Sequence, residues 1–269
     1  MNTTALTARP PVRIDRLLGR KALVTGSSKG IGRGIAIRLA QEGADVVLNY
    51  NSDPRGAEDA LADVTALGRK GAAIRANLGS VADVRDLVAK ASDALGGLDV
   101  LVNNAGIEKH AAFWDVTEAD FDAVLDVNLK GVFFAAQAFV TQCKAAGRPG
   151  KIINISSVHE ELAFPNFAAY CASKGGVRML TRTLAVELGT LGITINSIAP
   201  GAIETPINAA LLNDPAKLQS LLGQIPLARL GTPQDVAGLA VFLASSDSDY
   251  VTGTTYLVDG GLTVFYKEQ

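Results

Sequence analysis

The chain has 269 residues, 48% hydrophobic and 19% charged, a balance that belongs to folded globular proteins and not to disordered or fibrous ones. Lys and Arg number 25 against 27 Asp and Glu, a formal net charge of −2, so no strong field recruits a polyanion and nucleic acid is not an expected partner. Two cysteines, Cys143 and Cys171, make neither a disulfide framework nor a short-spaced zinc pair, which suits the cytoplasm.

Residues 1–19 carry Arg9, Arg13 and Arg16 around no hydrophobic centre and read as a flexible lead-in to one domain over 20–269. Lys21 to Thr25 is a short apolar run ending at Gly26. Ile31, Ile35 and Leu39 then recur at helical spacing up to Glu42. The alternation repeats, with strands at Asp45 to Asn49, Ala72 to Arg75 and Val100 to Asn103 around helices at Gly56 to Gly68 and Val81 to Leu95. A long helix over Asp120 to Ala145 follows. Then come a strand at Lys151 to Ser156, a helix at Phe167 to Leu188, a strand at Thr194 to Ile198 and a late strand at Thr255 to Val258. Strands separated by helices pair in parallel. The series therefore predicts an α/β fold: a single doubly wound Rossmann domain with a seven-stranded parallel sheet and helices on both faces.

Residues of about 205–232 break the rhythm with Pro206, Pro215, Pro226 and Pro233 around two short helical stretches, Leu218 to Leu222 being the clearer. An insertion of this kind between strands commonly covers a site, and a lid is expected here. Glycine and charge interrupt every apolar stretch, so no bilayer-spanning segment is expected.

Gly26-Ser-Ser-Lys-Gly30-Ile-Gly32 lies between the first strand and the first helix. Backbone amides at a helix start are free donors, and glycines lacking Cβ let a pyrophosphate approach closely. The spacing departs from the usual G-x-G-x-x-G fingerprint. It resembles the variant of the short-chain dehydrogenases/reductases, and the later motifs extend that resemblance over about Lys21 to Thr263.

The resemblance implies a dinucleotide held by Gly26, Ser28, Lys29, Gly30, Ile31 and Gly32, with Asn49 and Tyr50 at the adenosine ribose. It places Asn77 and Leu78 at the adenine and Asn104, Ala105 and Gly106 after the fourth strand. Pro200, Gly201, Ile203 and Thr205 stand on the nicotinamide side. An acidic residue at the end of the second strand would repel a 2′-phosphate, but Asn49, Tyr50, Asn51 and Ser52 stand there, with Lys29 and Arg55 nearby. NADP is the expected cofactor, with NAD as a second one.

Tyr170-Cys-Ala-Ser-Lys174 puts a phenol and an ammonium four residues apart on one helix face. A nearby cation favours the ionised phenol and lowers its pKa, so the pair can shuttle a proton. Ser157 lies thirteen residues upstream at a strand end, and Asn128 lies in the long helix. The resemblance assigns Tyr170 as general acid/base, Lys174 as its partner and ribose ligand, Ser157 as the residue orienting the reacting C–O group, and Asn128 as support for a proton relay. A serine hydrolase built on Ser156, Ser157 and His159 lacks a G-x-S-x-G elbow, and His110 is the only other histidine, so no metal site is expected.

Within the family, Ser156-Ser-Val-His-Glu160, Gly201 to Asn208 and Asp259 to Thr263 are most similar to bacterial glucose 1-dehydrogenases, which oxidise β-D-glucose to gluconolactone with NAD or NADP. The expected partner is thus a small-molecule sugar or other alcohol/carbonyl. A sugar pocket needs side chains to satisfy ring hydroxyls, and Ser157, His159, Glu108 and Asn208 are the candidates. A 3-oxoacyl-[acyl-carrier-protein] reductase is the alternative enzyme, and a non-catalytic dinucleotide sensor the alternative class. The Asp120 to Ala145 helix is apolar nearly all round, with Phe133, Phe134 and Phe139, and the resemblance implies a homotetramer that covers its outer face.

Overall fold

A computed structural model describes residues 15–206 and 212–265. Its seven parallel strands are β1 (Lys21–Val24), β2 (Asp45–Tyr50), β3 (Gly71–Arg75), β4 (Val100–Asn103), β5 (Gly150–Ile155), β6 (Ile193–Pro200) and β7 (Thr255–Val258), in the order β3-β2-β1-β4-β5-β6-β7. The order reverses between β1 and β4. A crevice therefore opens beyond the carboxyl ends of those strands, where open α/β sheets bind ligands.

Neighbouring residues on a strand point to opposite faces, and the chain uses this to build two cores from one sheet. Val24, Val102 and Ile153 face α1 (Gly30–Gln41) and α8 (Pro233–Ala244), meeting Ile35, Leu39 and Val241. Leu23, Leu101 and Ile152 face α3 (Val81–Leu95) and α5 (Gly131–Ala145), meeting Leu87, Val88 and Phe139. Strands covered on both faces read as continuous apolar runs. The other α-helices among the described residues include α2 (Pro54–Ala66), α4 (Glu118–Leu125), α6 (Ala168–Leu188) and α7 (Pro215–Leu222).

A buried polar row crosses the second layer. Asn103 Nδ2 donates to Asn154 Oδ1 at 2.9 Å, Asn154 Nδ2 to Thr181 Oγ1 at 2.9 Å, and Thr181 Oγ1 meets Ser197 Oγ at 2.8 Å. It fixes α6 against β4, β5 and β6 with every partner satisfied.

The structure corrects four expectations. Residues 15–19 are not a loose lead-in: Leu17 is buried, its N–H donates to the Glu42 carbonyl, and Arg16 pairs with the Glu42 carboxylate at 3.2 Å. Helix α8, absent from the sequence reading, fills the gap before β7. Pro233 looked like one more break, but at the first helical position its missing N–H costs nothing, and Thr232 with Asp235 forms a capping box behind it.

The long helix is continuous over Glu118–Ala145 but contains one π turn, Asp126–Lys130, between α4 and α5. It is also long and apolar enough to cross a bilayer, by length and composition. Its inner face, through Val132, Ala135, Ala136 and Phe139, is a buried layer of the domain. In the lid region α7 buries none of its residues, whereas Ile225 is buried and Gly231 bridges to Ile203. Residues 207–211, including Asn208, lie outside the described residues.

Candidate active site

The glycine loop is forced by contact. A Cβ on Gly32 would sit 2.3 Å from Asn104 Nδ2 and 2.5 Å from the Gly26 carbonyl, and one on Gly26, at φ +61°, would sit 2.8 Å from Ala105 Cα. Thr25 Oγ1 accepts from the amides of Asn104 and Ala105, and Asn104 Nδ2 donates to the carbonyls of Thr25 and Gly26. The turns after β1 and β4 are thereby locked together. Lys29 precedes α1 without a side-chain cap, so first-turn amides face the crevice as donors for an anion. Ser28 is buried beneath them.

Asn49 lies at the expected ribose position but is turned inward. It is 1% exposed, its Oδ1 accepts from Gly26 N at 3.1 Å, and its Nδ2 reaches the carbonyls of Ile74 and Ala76. It braces the glycine loop and leaves no polar atom for a ribose. Tyr50, Asn51 and Ser52 line the rim instead, with Lys29 and Arg55 exposed beside them. Arg75, which sequence reasoning overlooked, donates from Nε to the Asn51 carbonyl at 3.1 Å and adds a third cation there.

Leu78 is buried, Asn77 Oδ1 accepts from Gly79 N, and Gly131 at the start of α5 approaches so closely that a Cβ there would meet the Leu78 carbonyl at 2.4 Å. On the far side, β6 ends at Pro200, and Gly201 packs on Asp259. Ile203 is buried, and Thr205 comes within 3.5 Å of a Cβ placed on Gly30. The crevice is therefore walled by both halves of the sheet.

Ser157, Tyr170, Lys174 and Asn128 converge where β5, α6 and the π turn meet. Ser157 Oγ accepts from His159 N at 3.2 Å, which aims it away from β5, and it hydrogen-bonds the Tyr170 phenol. Asn128 is fully buried. Its Nδ2 donates to the Ile107 carbonyl at 2.8 Å and to Ser173 Oγ at 3.2 Å, and its Oδ1 accepts from Ile107 N. A π turn widens the helix by one residue, and here it delivers Asn128 to both the loop after β4 and α6. Those bonds fix the Asn128 side chain between the loop after β4 and α6.

Lys174 is buried, and its Nζ donates to the Ile155 carbonyl at 2.9 Å while lying 5.5 Å from the centre of the Tyr170 ring. Burial pushes the ammonium down to about 8, against the opposing charge of Glu160. Burial likewise pushes the Tyr170 phenol up to about 12, outweighing the Ser157 hydrogen bond, and Glu108 adds to the rise. Desolvation thus outweighs the lowering expected of Lys174. Desolvation dominates both groups, and the ammonium addresses the ring face and a carbonyl. A neutral phenol beside a serine hydroxyl can protonate a forming alkoxide.

His159 and Glu108 both border this centre. The His159 ring stacks on Phe164 at 4.1 Å, Phe164 stacks on Phe167 at 4.1 Å, and His159 meets the Tyr170 ring edge-on. Its Nδ1 lies 3.2 Å from the Leu162 carbonyl, which can only accept, so Nδ1 carries the proton and Nε2 a lone pair. Burial holds His159 below its usual pKa and Glu108 above its own. The aromatic pair Phe164 and Phe167 carried no recognisable sequence signal, because only the path between β5 and α6 brings it here.

A family model described as enoyl-(acyl carrier protein) reductase matches residues 26–263. The chain is 44% identical over 251 residues to 3beta-hydroxysteroid dehydrogenase 1 of Eggerthella lenta, with 93% of this chain and 96% of that protein covered. It is 41% identical to the glucose 1-dehydrogenase of Gluconobacter oxydans, at 93% and 94% coverage. The chain belongs to the short-chain dehydrogenase/reductase family. The crystal structure of a gluconate 5-dehydrogenase from Burkholderia cenocepacia, in complex with NADP and tartrate, superimposes with a TM-score of 0.88 at 40% identity, covering 94% of this chain and 99% of that one.

As a member of this family the protein is an NAD(P)-dependent oxidoreductase. The cradle fits such a group: closely packed glycines, uncapped amides at α1 and three cations at the rim of β2 and β3 suit a pyrophosphate and a further phosphate. Among the described residues no cluster of His, Cys, Asp and Glu suited to a metal ion occurs.

Proposed function

We propose that the protein is an NADP-preferring glucose 1-dehydrogenase that also accepts NAD, oxidising β-D-glucose to gluconolactone. The reading rests on the convergence of Ser157, Tyr170 and Lys174 with two side chains able to pair hydroxyls: His159, with a free Nε2 lone pair, and Glu108. Both stand beside the Tyr170 ring or its charge environment, where hydroxyls flanking a reacting C–O bond would lie. Asn208 is proposed as a further partner for the sugar hydroxyls.

When bound, the nicotinamide supplies the hydride chemistry that no side chain can perform. The chain's residues manage the proton. Ser157 Oγ and Tyr170 Oη grip the reacting oxygen, Tyr170 takes its proton in oxidation and returns it in reduction, and Lys174 holds the cofactor ribose while stabilising the phenolate. Because burial favours the neutral phenol, oxidation accelerates with rising pH until Lys174 loses its proton.

The proposed assembly is a cytoplasmic homotetramer. Phe121 and Phe133 stand 44% and 43% exposed on the outer face of the long helix, and a second copy would cover them. Free Cys143 and Cys171 agree with a reducing compartment.

A second reading, reduction of an apolar carbonyl such as a 3-oxoacyl thioester, is favoured by Phe164 and Phe167. One assay separates the two: β-D-glucose, gluconate, a 3-hydroxysteroid and acetoacetyl thioester, each with NADP(H) and NAD(H). Turnover of glucose with the highest kcat/KM supports the first reading. Turnover confined to the thioester or the steroid overturns it.

A further inference from the structure

Tyr170 stands in the first turn of α6, where a helix is least secure. Phe167 precedes α6 with no side-chain cap, and the leading amides of a helix have no intrahelical acceptor. Such a turn frays unless something outside the helix holds it. Proton transfer tolerates no fraying, because the phenol must stay within a fraction of an ångström of its working position.

A tie reaches this turn from the π turn, through Ser173. That residue is 0% exposed, and its Oγ lies 2.7 Å from the Tyr170 carbonyl and 3.2 Å from Asn128 Nδ2. A carbonyl can only accept, so the single hydroxyl proton goes to Tyr170 and Ser173 Oγ accepts from the Asn128 amide. Both N–H bonds of Asn128 are then committed, one to Ser173 and one to the Ile107 carbonyl at 2.8 Å, while its Oδ1 takes Ile107 N at 2.9 Å. Hydrogen bonds run unbroken from the loop after β4, across the π turn, to the Tyr170 backbone, and they fit one orientation of the Asn128 amide.

The surroundings leave this chain of contacts little slack. A Cβ on Gly176 would meet Leu129 Cδ2 at 2.8 Å, so α6 lies close against the residue that follows Asn128. A Cβ on Gly106 would sit 3.4 Å from Asn128 Oδ1 and 3.8 Å from Lys174 Nζ, so the same amide borders the lysine. We propose that Ser173 is a positioning residue: by orienting the Asn128 amide and holding the Tyr170 carbonyl, it keeps the uncapped first turn of α6 aligned with Ser157. Buried as it is, Ser173 acts on the reaction through Tyr170, and the proposal rests on the proton-transfer role given to Tyr170 above.

Ser173→Ala removes one oxygen from a helix that favours alanine. With the substrate turned over in the assay above, kcat is expected to fall about ten- to a hundredfold while the dissociation constant for NADP stays within about twofold of the parent. The tie exists only while both of its ends are present, so the losses should not multiply. Asn128→Ala is expected to cost at least as much, and the double variant to fall no more than about twofold below it. A serine that served packing alone would lower the melting temperature, spare kcat and act independently of Asn128. Unchanged kcat in folded, NADP-binding Ser173→Ala, or losses that multiply in the double variant, overturn the proposal. Should Ser173→Ala not fold, hydrogen exchange in Asn128→Ala decides: faster exchange of the amides from Cys171 to Lys174 supports the tie, and unchanged protection overturns it. Tyr170→Phe separates the two layers of inference. If that variant keeps full turnover, the role given to Tyr170 is wrong; if it is inactive while Ser173→Ala is unimpaired, this proposal alone fails.

Discussion

The two sides of the crevice are built from different materials. The nucleotide side is backbone: glycines packed against Asn104, Ala105 and the Gly26 carbonyl, with Thr25, Asn49 and Asn104 saturating the amides and carbonyls around them. The proposed substrate side is side chain: a His159–Phe164–Phe167 stack, a half-buried Glu108, and a proposed lid whose α7 buries nothing. A backbone cradle accepts one ligand shape and tolerates little change. A side-chain wall can be rebuilt without disturbing the sheet, and relatives named for steroid, sugar and sugar-acid substrates share this frame.

The sharpest break in that comparison is at the seam between the sides. Tyr170→Phe removes one oxygen and should leave the cradle untouched. The expected result is a loss of about 10²–10⁴ in kcat with unchanged NADP affinity, measured by steady-state assay and by nucleotide fluorescence titration. In the parent, oxidation should rise with pH from neutrality as the phenol, held near 12 by burial, ionises more readily, then fall as Lys174 titrates. An oxidation rate flat from pH 6 to 9 would contradict the proton assignment.

Glycines on the two sides should answer differently to one methyl group. Gly32→Ala would push a Cβ to within 2.5 Å of backbone that is locked by four hydrogen bonds, so a destabilisation of about 1–3 kcal/mol and at least tenfold weaker NADP binding are expected. Gly175 lies on α6 next to Lys174 and meets nothing within 4 Å. Gly175→Ala should raise stability by about 0.5–1 kcal/mol, as helix propensity alone dictates. Thermal unfolding of the two variants, with and without NADP, checks both.

The same division explains what could be read from the chain alone. The strand and helix alternation was legible because a doubly covered sheet writes its strands as unbroken apolar runs, and the glycine loop because only the absence of a Cβ permits its contacts. The Tyr170–Lys174 pair stood out through its spacing along one helix, and Ser157 through the family resemblance, and the structure brings the three together. Helix α8 was not: Pro233 at its first position looks identical to the prolines of the lid, and only the capping partners Thr232 and Asp235 distinguish it. The π turn at Asn128 left no trace because a helix that is apolar nearly all round has no narrow stripe whose phase an extra residue could visibly shift. The inward rotation of Asn49 and the sharing of Arg178 between Glu160 and Glu161 depend on partners in separate elements, far along the chain, and no local period records them.

The smallest expected effect tests where the rim of the cradle stops being backbone. Lys29, Arg55 and Arg75 are exposed cations, and solvent screens each of them, so none alone decides between cofactors. Their common target would be a phosphate absent from NAD. Arg55→Ala should therefore raise the KM for NADP by about three- to tenfold, the range of one partly screened charge-assisted contact, and leave the KM for NAD unchanged. Lys29→Ala should do the same and add to it, because the two side chains approach from the glycine loop and from α2 without sharing a hydrogen-bond partner. Raising salt from 50 to 500 mM should shrink the NADP advantage of the parent toward that of the double variant. An equal rise in KM for both cofactors would mean that these residues shape the pocket and do not read the phosphate, and discrimination would then fall to Ser52, a neutral donor at the same rim.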